Sequence, residues 1–261
     1  TLNGIYFGTS NTGGCNNVGD YTLGYSGSWT PPSSAGLNSD GFFYSRVQVC
    51  KANSAVLEDV RDYGLCKQYP NGNYKPTGVI QKYADQIRLA AFGYLMDQTA
   101  SYSSGRYGGV LRAPMKYVGQ KKFDIYGREE AGSNPKAEWD NNTGIFTTNP
   151  EGDPTFGVSG VINYINQVGR TGPQPGRYKI YDPVGELYYQ ALRYLQGLPP
   201  TPDAISSLGT LAKSNALYDG YPVYTDWSSI DPYGGGRSKN DNYACLKSNI
   251  VVIGDINTHD G

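Results

Sequence analysis

Residues 178–198, YKIYDPVGELYYQALRYLQGL, hold the clearest periodic signal in the chain. Val184, Leu187, Tyr188, Ala191, Leu192, Leu195 and Leu198 recur at helical spacing and make one apolar face. Asp182 offers the short carboxylate of an N-cap, and Pro183 then falls at the first helical position, where a missing N–H costs nothing. Gly197 and the Pro199–Pro200 pair stop the helix. A helix with one apolar face needs a surface to pack on, so the rest of the chain is expected to supply a sheet.

Working outward, residues 249–256, NIVVIGDI, are an unbroken apolar run ending in Gly-Asp, expected to form a parallel central strand with an acidic residue at its carboxyl end. Upstream, residues 157–168 place Val158, Val161, Ile162, Ile165 and Val168 on one side of a second helix, stopped by Gly169. Residues 109–117, GVLRAPMKY, read as a strand close enough to residues 88–95, RLAAFGYL, to pair antiparallel with them. The apolar run 88–95 suits a strand buried on both faces; a helix continuing from Thr77 is the rival reading. Lys75-Pro76-Thr77-Gly78 starts a short helix with Val79, Ile80, Tyr83, Ala84 and Ile87 on its apolar side. Residues 42–50, FFYSRVQVC, alternate as a strand does, whereas residues 55–69 read as a loop. The polar excursion 121–154 holds a turn at Glu138-Trp139-Asp140-Asn141-Asn142-Thr143-Gly144 and a short strand at 145–148. The order implies an α/β fold, a mostly parallel sheet covered by helices. Residues 1–45 form an irregular Gly/Ser/Asn-rich segment, and residues 46–261 one incomplete α/β domain with loop insertions at 51–74, 118–156 and 199–244.

Composition narrows the function. The net charge of −1 gives no basic field for nucleic acid or anionic lipid. No run of about 18 apolar residues is present, so no membrane-spanning helix is expected. The chain opens at TLNGIYFG without a leader or an initiating Met and stops at THDG, which reads as a processed or excised piece. Gly 35, Tyr 24 and only 17% charged residues imply long loops with half-buried tyrosines. Such a surface resembles a binding surface, although Gly-, Asn- and Tyr-rich composition is also common in extracellular proteins. Four cysteines with no C-x-x-C pair and one His disfavour zinc and favour disulfides. Cys50 and Cys66 enclose a short loop and form the first pair, leaving Cys15 with Cys245; four cysteines allow three connectivities.

Open α/β sheets bind ligands beyond the carboxyl ends of their strands. Asp255, Asn257, His259 and Asp260 would sit there, and Asp182 could face the same edge. Asp255, Asn257 and Asp260 with Asp182 are hard oxygen ligands of the kind Ca²⁺ or Mg²⁺ takes. A plain Asp-rich turn and a helix cap explain the same residues without a metal. No G-x-S-x-G elbow is present, and His259 lies two residues from the chain end. Glu129–Glu130 reads as solvated surface, Gly234-Gly235-Gly236 precedes no Lys-Ser/Thr, and Arg106, Arg112 and Lys116 are too few for a nucleic-acid groove. Trp29, Trp139 and Trp227 motivate a second reading, a carbohydrate-binding or carbohydrate-active domain, because aromatic faces stack on sugars.

Several motifs also occur together in one order. These are Val49-Cys50, Cys66-Lys67-Gln68-Tyr69, and Tyr74-Lys75-Pro76-Thr77-Gly78-Val79-Ile80-Gln81. Gly108-Gly109-Val110-Leu111-Arg112 and Gly160-Val161-Ile162-Asn163-Tyr164-Ile165-Asn166 follow. Tyr181-Asp182-Pro183-Val184-Gly185-Glu186-Leu187-Tyr188-Tyr189 and Cys245 with Asn249-Ile250-Val251-Val252-Ile253-Gly254-Asp255 complete the set. This series, spanning roughly residues 46–261, resembles the PilC/PilY proteins, type IV pilus tip-associated adhesins and biogenesis factors. The resemblance implies a partial von Willebrand factor A-like (Rossmann-type) domain, and a non-enzymatic cell-adhesion and pilus-assembly role outside the cell. It implies minor pilins and/or a host-cell or surface ligand as partners, and a pilus-tip location reached by export through the periplasm. The metal site of an A domain uses a D-x-S-x-S loop, a Thr and an Asp; this chain lacks the loop, has Asp182 at the Thr position, and carries over only Asp255.

Overall fold

The computed structural model describes residue 50 and residues 65–96, 109–124, 126–167, 183–206, 208–212, 216–233 and 247–254. The chain divides into two compact units, Thr1–Asp59 and Val60–Gly261. Of the first unit only Cys50 is described, and it is buried. Cys50 and Cys66 are joined by a disulfide, as their spacing suggested.

The second unit opens with a hairpin absent from the sequence reading: β1 (Cys66–Gln68) pairs antiparallel with β2 (Tyr74–Pro76). Residues 55–69 read as a loop with room for a helical turn at 56–61, not a strand; three-residue strands are too short to show alternation. The turn is held by the Tyr69 N–H donating to Asn73 O at 2.8 Å and the Asn73 N–H donating to Asn71 Oδ1 at 3.0 Å. The expected short helix is one turn, α1 (Val79–Lys82), whose start is fixed by the Gly78 N–H donating to Gln81 Oε1 at 2.7 Å.

The apolar run at residue 88 resolves as a strand. β3 (Leu89–Tyr94) pairs antiparallel with β4 (Gly109–Lys116), with irregularities on either side of Ala91. Pro114 falls at one of them, between the Leu89–Lys116 and Ala91–Ala113 pairs, where the ladder does not need its missing N–H. Residues 109–114 of β4 are all buried, so this strand is covered on both faces. Its far edge receives the Tyr224 N–H at Leu111 O, 3.1 Å away. β4 supplies a fully buried residue to each of three apolar clusters. Ala113 packs with Val161, Ile162 and Tyr164; Val110 with Leu95, Leu208 and Tyr218; Leu111 with Tyr194 and Trp227.

Two helices pack on the β3–β4 pair: α2 (Val161–Gln167) and α3 (Val184–Leu195). A short α4 (Pro202–Ile205) follows, with 3₁₀ turns at Leu208–Thr210 and Ala216–Tyr218. α3 is the helix read from residues 178–198, with two corrections. Pro183 is the N-cap rather than the first helical residue, and Asp182 lies outside the described residues. The inward stripe is Gln190, Ala191 and Tyr194, while Tyr188 and Leu198 are exposed. Side chains lean toward the helix start, so a stripe chosen by apolarity alone drifts from the one that meets the sheet. The stop at Gly197 (φ 67°) is a Schellman turn: the Gly197 N–H reaches Tyr194 O at 3.0 Å and the Leu198 N–H reaches Arg193 O at 2.9 Å.

Both ladders among the described residues are antiparallel, so no part of the expected parallel sheet is seen there. The expected central strand at 249–256 is not a strand over its described part, residues 249–254. Four β-branched residues give it strand propensity, but propensity is realised only where a neighbouring strand supplies partners.

Candidate functional site

The described surface has an extended apolar concavity, a groove of about 410 Å³. Its walls are β3, α3 and residues 249–253, with Ile80 and Ile165 at its margin. The rim leaves apolar side chains in water: Ile165 is 54% exposed, Val251 86% and Ile253 88%. The only charged side chain in the lining is Arg88, whose Nη1 donates to Pro232 O at 2.8 Å. No Asp, Glu, His or Cys lines the groove, so what it offers is apolar contact area.

Tyr194 is the buried polar group of the lining. Its hydroxyl accepts the Met115 N–H at 3.0 Å and donates to Ile230 O. Its ring meets Phe92 and Trp227 edge-on, at 5.6 and 5.3 Å between centroids. Burial pushes the Tyr194 hydroxyl up to about 12, against the smaller opposing effect of the Met115 N–H.

Two buried charged groups support the scaffold and are absent from the groove lining. Arg112 is fully buried in the middle of β4. Its Nη1 donates to Tyr218 O at 2.7 Å and Tyr221 O at 3.4 Å, and its Nη2 to Tyr94 O at 2.5 Å and Leu217 O at 3.1 Å. The guanidinium also lies over the Tyr164 ring, 5.7 Å from its centre. Burial pulls Arg112 below its ordinary value, and Tyr164 and Asp219 oppose that pull. Glu138, 1% exposed, accepts the first two N–H groups of α2, from Val161 at 2.8 Å and Ile162 at 2.7 Å. Lys116 lies 3.1 Å from Glu138 and also pairs with Glu151, which Lys136 reaches at 2.8 Å. The sequence counted Arg112 and Lys116 only as scattered cations. Their interior role carries a faint signal, a cation inside an apolar strand run.

Of the candidate site residues, the structure places Cys50 and Cys66 in one disulfide. Cys15, Cys245, Asp182, Asp255, Asn257, His259 and Asp260 lie outside the described residues. Among the described residues no group of three or more His, Cys, Asp or Glu could hold a metal ion. Trp139 and Trp227 are buried, and the Trp227 Nε1–H donates to Tyr224 O at 2.8 Å, so neither offers a face to a sugar. Trp29 lies outside the described residues. No described helix is long and apolar enough to cross a membrane.

Comparison with known proteins adds identity to this geometry. Residues 92–260 match the family described as PilY1 homolog, second domain. A type IV pilus biogenesis factor PilY1 homolog of Xylella fastidiosa (strain Temecula1 / ATCC 700964) is 35% identical over 226 residues, 82% of this chain and 16% of that protein. A second protein of the same name and organism is 28% identical over 218 residues, 81% of this chain and 14% of its own length. The chain thus spans about a sixth of the length of the curated relatives it matches. No solved structure matches it. The ordered motifs between Val49 and Asp255 and the match over residues 92–260 agree: the chain belongs to the PilY1 homolog family and carries that family's second domain.

Proposed function

We propose that this chain is a non-enzymatic binding module of a type IV pilus biogenesis factor. It works outside the cell at the pilus tip, after export through the periplasm, and binds minor pilins and/or a host-cell or other surface ligand. The family match over residues 92–260 is the observation that carries this reading. An apolar groove lined by no carboxylate, imidazole or thiol supports binding over catalysis. The Cys50–Cys66 disulfide supports an oxidising compartment. The scaffold we propose is von Willebrand factor A-like, supported by an antiparallel strand pair followed by two helices packed on it. Trp139 and Trp227 are buried and lend the carbohydrate reading no support.

The test is association of the purified, oxidised chain with each minor pilin of its source, followed by biolayer interferometry. Saturable binding to at least one pilin is expected. Absence of binding to every pilin, with the chain folded and its disulfide formed, overturns the proposal.

A further inference from the structure

A second concavity, of about 450 Å³, lies where two turns meet and is lined by Lys67, Gln68, Tyr69, Pro70 and Asn141. The turns are tied together: the Asn71 N–H donates to Asn142 O at 3.1 Å, and Asn73 Nδ2 donates to Thr143 O at 3.4 Å. Gly144 (φ 71°) lets the second turn lie flat against the Tyr69 ring, because a Cβ there would fall 2.4 Å from it. Tyr69 is 2% exposed, yet its hydroxyl has no hydrogen-bond partner among the described residues. Such a group costs free energy unless something entering the cavity bonds to it. The Lys67 ammonium lies 5.1 Å from the centre of the Tyr69 ring and makes no ion pair among the described residues. Lys75 stands directly across the hairpin from it, also without an ion pair there. Like charges opposed on a strand pair are unfavourable, and together they leave a positive field that attracts an anion. The neighbouring carboxylate of Asp140 is committed to its own turn, where Oδ1 accepts the Asn142 and Thr143 N–H groups and the Thr143 hydroxyl. The side-chain amides of Gln68 and Asn141 make no hydrogen bond among the described residues. One small cavity therefore gathers a cation, two amides and a hydroxyl beside the apolar face of Pro70. A carboxylate side chain would answer the cation alone, and a main-chain segment would bring no negative charge. A sugar ring bearing a carboxylate answers every group, with its C–H face on Pro70.

We propose that this pocket binds one acidic sugar unit, with its carboxylate on Lys67 and its hydroxyls on Gln68, Tyr69 and Asn141. The proposal rests on the reading of the chain as a module for a host-cell or other surface ligand, and names the chemistry of that ligand.

The experiment uses the whole oxidised chain and three probes: methyl β-D-glucuronide, methyl β-D-glucoside, which lacks the carboxylate, and acetate, which lacks the ring. Backbone amide shifts are followed in proton–nitrogen correlation spectra as each is titrated. The glucuronide is expected to give saturable shifts at Lys67, Gln68, Tyr69 and Asn141. The glucoside and acetate should each bind at least about tenfold more weakly. Lys67→Met should weaken glucuronide binding about tenfold or more, because a charge-assisted bond is lost. Tyr69→Phe keeps the ring and should weaken it about threefold or more. Lys67 is exposed, so the rest of the Lys67→Met spectrum should match the parent's. No saturable shift at these amides, or glucuronide binding untouched by Lys67→Met, overturns the proposal. Equal binding of acetate makes the site a simple anion hole, and equal binding of the glucoside a neutral sugar site; either overturns the acidic-sugar assignment. The glucuronide titration is repeated by calorimetry on the full-length protein. Binding to the chain that is lost at full length means the protein's own remaining chain fills the pocket, and likewise overturns the proposal. If minor pilins bind but the glucuronide does not, the pocket falls and the pilin reading stands. If the glucuronide binds but no pilin does, the pocket stands and the pilin reading falls.

Discussion

Arg112 sits where a strand buried on both faces would ordinarily carry a Val or Ile, and it is tolerated because four carbonyls receive its two Nη groups. Arg112→Met removes these hydrogen bonds from a buried site, each worth about 1.5–3 kcal/mol where the donor is charged. A loss of at least about 3 kcal/mol is expected in urea unfolding, with Arg112→Lys recovering part of it because an ammonium still donates. Tyr194 gives a pH signature. Its folded value of about 12 lies above the value of about 10 for an unfolded tyrosine, so folding favours the neutral hydroxyl. That contribution is intact below about pH 10 and is lost as pH rises through 12, at about 1.4 kcal/mol per unit between the two. Unfolding midpoints measured from about pH 9 to 11.5 should fall in the parent, and less steeply in Tyr194→Phe. Neither set of partners was legible in sequence. The partners of Arg112 are main-chain oxygens, three of them 105 to 109 residues away, and carbonyls leave no residue-type signature.

The elements themselves were more legible, because each depends on neighbours within a few residues. The apolar run 89–94, the strand at 109–116 and the helix after Pro183 all appear where periodicity and stop signals put them. The hairpin Cys66–Gln68 with Tyr74–Pro76 does not announce itself. The run 249–253 misled because its pattern reports preference and not the presence of a partner strand. The Cys50–Cys66 bond closes a loop of 15 residues, 51 to 65, ahead of that hairpin. A loop of this size is worth about 3 kcal/mol in the chain-entropy account. Paired Cys50→Ser and Cys66→Ser substitutions are expected to cost about that much, read as a lowered urea midpoint that dithiothreitol no longer shifts. Exposed pairs such as Lys121–Glu129 and Lys122–Glu130 should matter little, as solvated charges on a polar loop do.

At the scale of the whole molecule, the family match and the physical domain have different edges. The match begins at residue 92, inside β3, whereas Tyr69 and Ala84 are buried in the cluster that holds Ala113 and Val161. A chain starting at residue 92 loses β1, β2, α1 and half of β3. It is expected to show no cooperative thermal transition by circular dichroism, whereas one starting at residue 46 should. The membership was legible in sequence because its motifs recur in order, but the groove was not, since β3, α3 and residues 249–253 meet only in space. The placement of Arg112 also sets a clock. Its partners at residues 217, 218 and 221 follow it by more than a hundred residues, so they reach it only after a long loop has closed. During that wait a permanent cation occupies the centre of β4 and resists dehydration, so the strand pair stays wet and early collapse around it is held off. Arrival of the turn at 216–221 is then the step that seals the sheet, and a chain halted before it remains open.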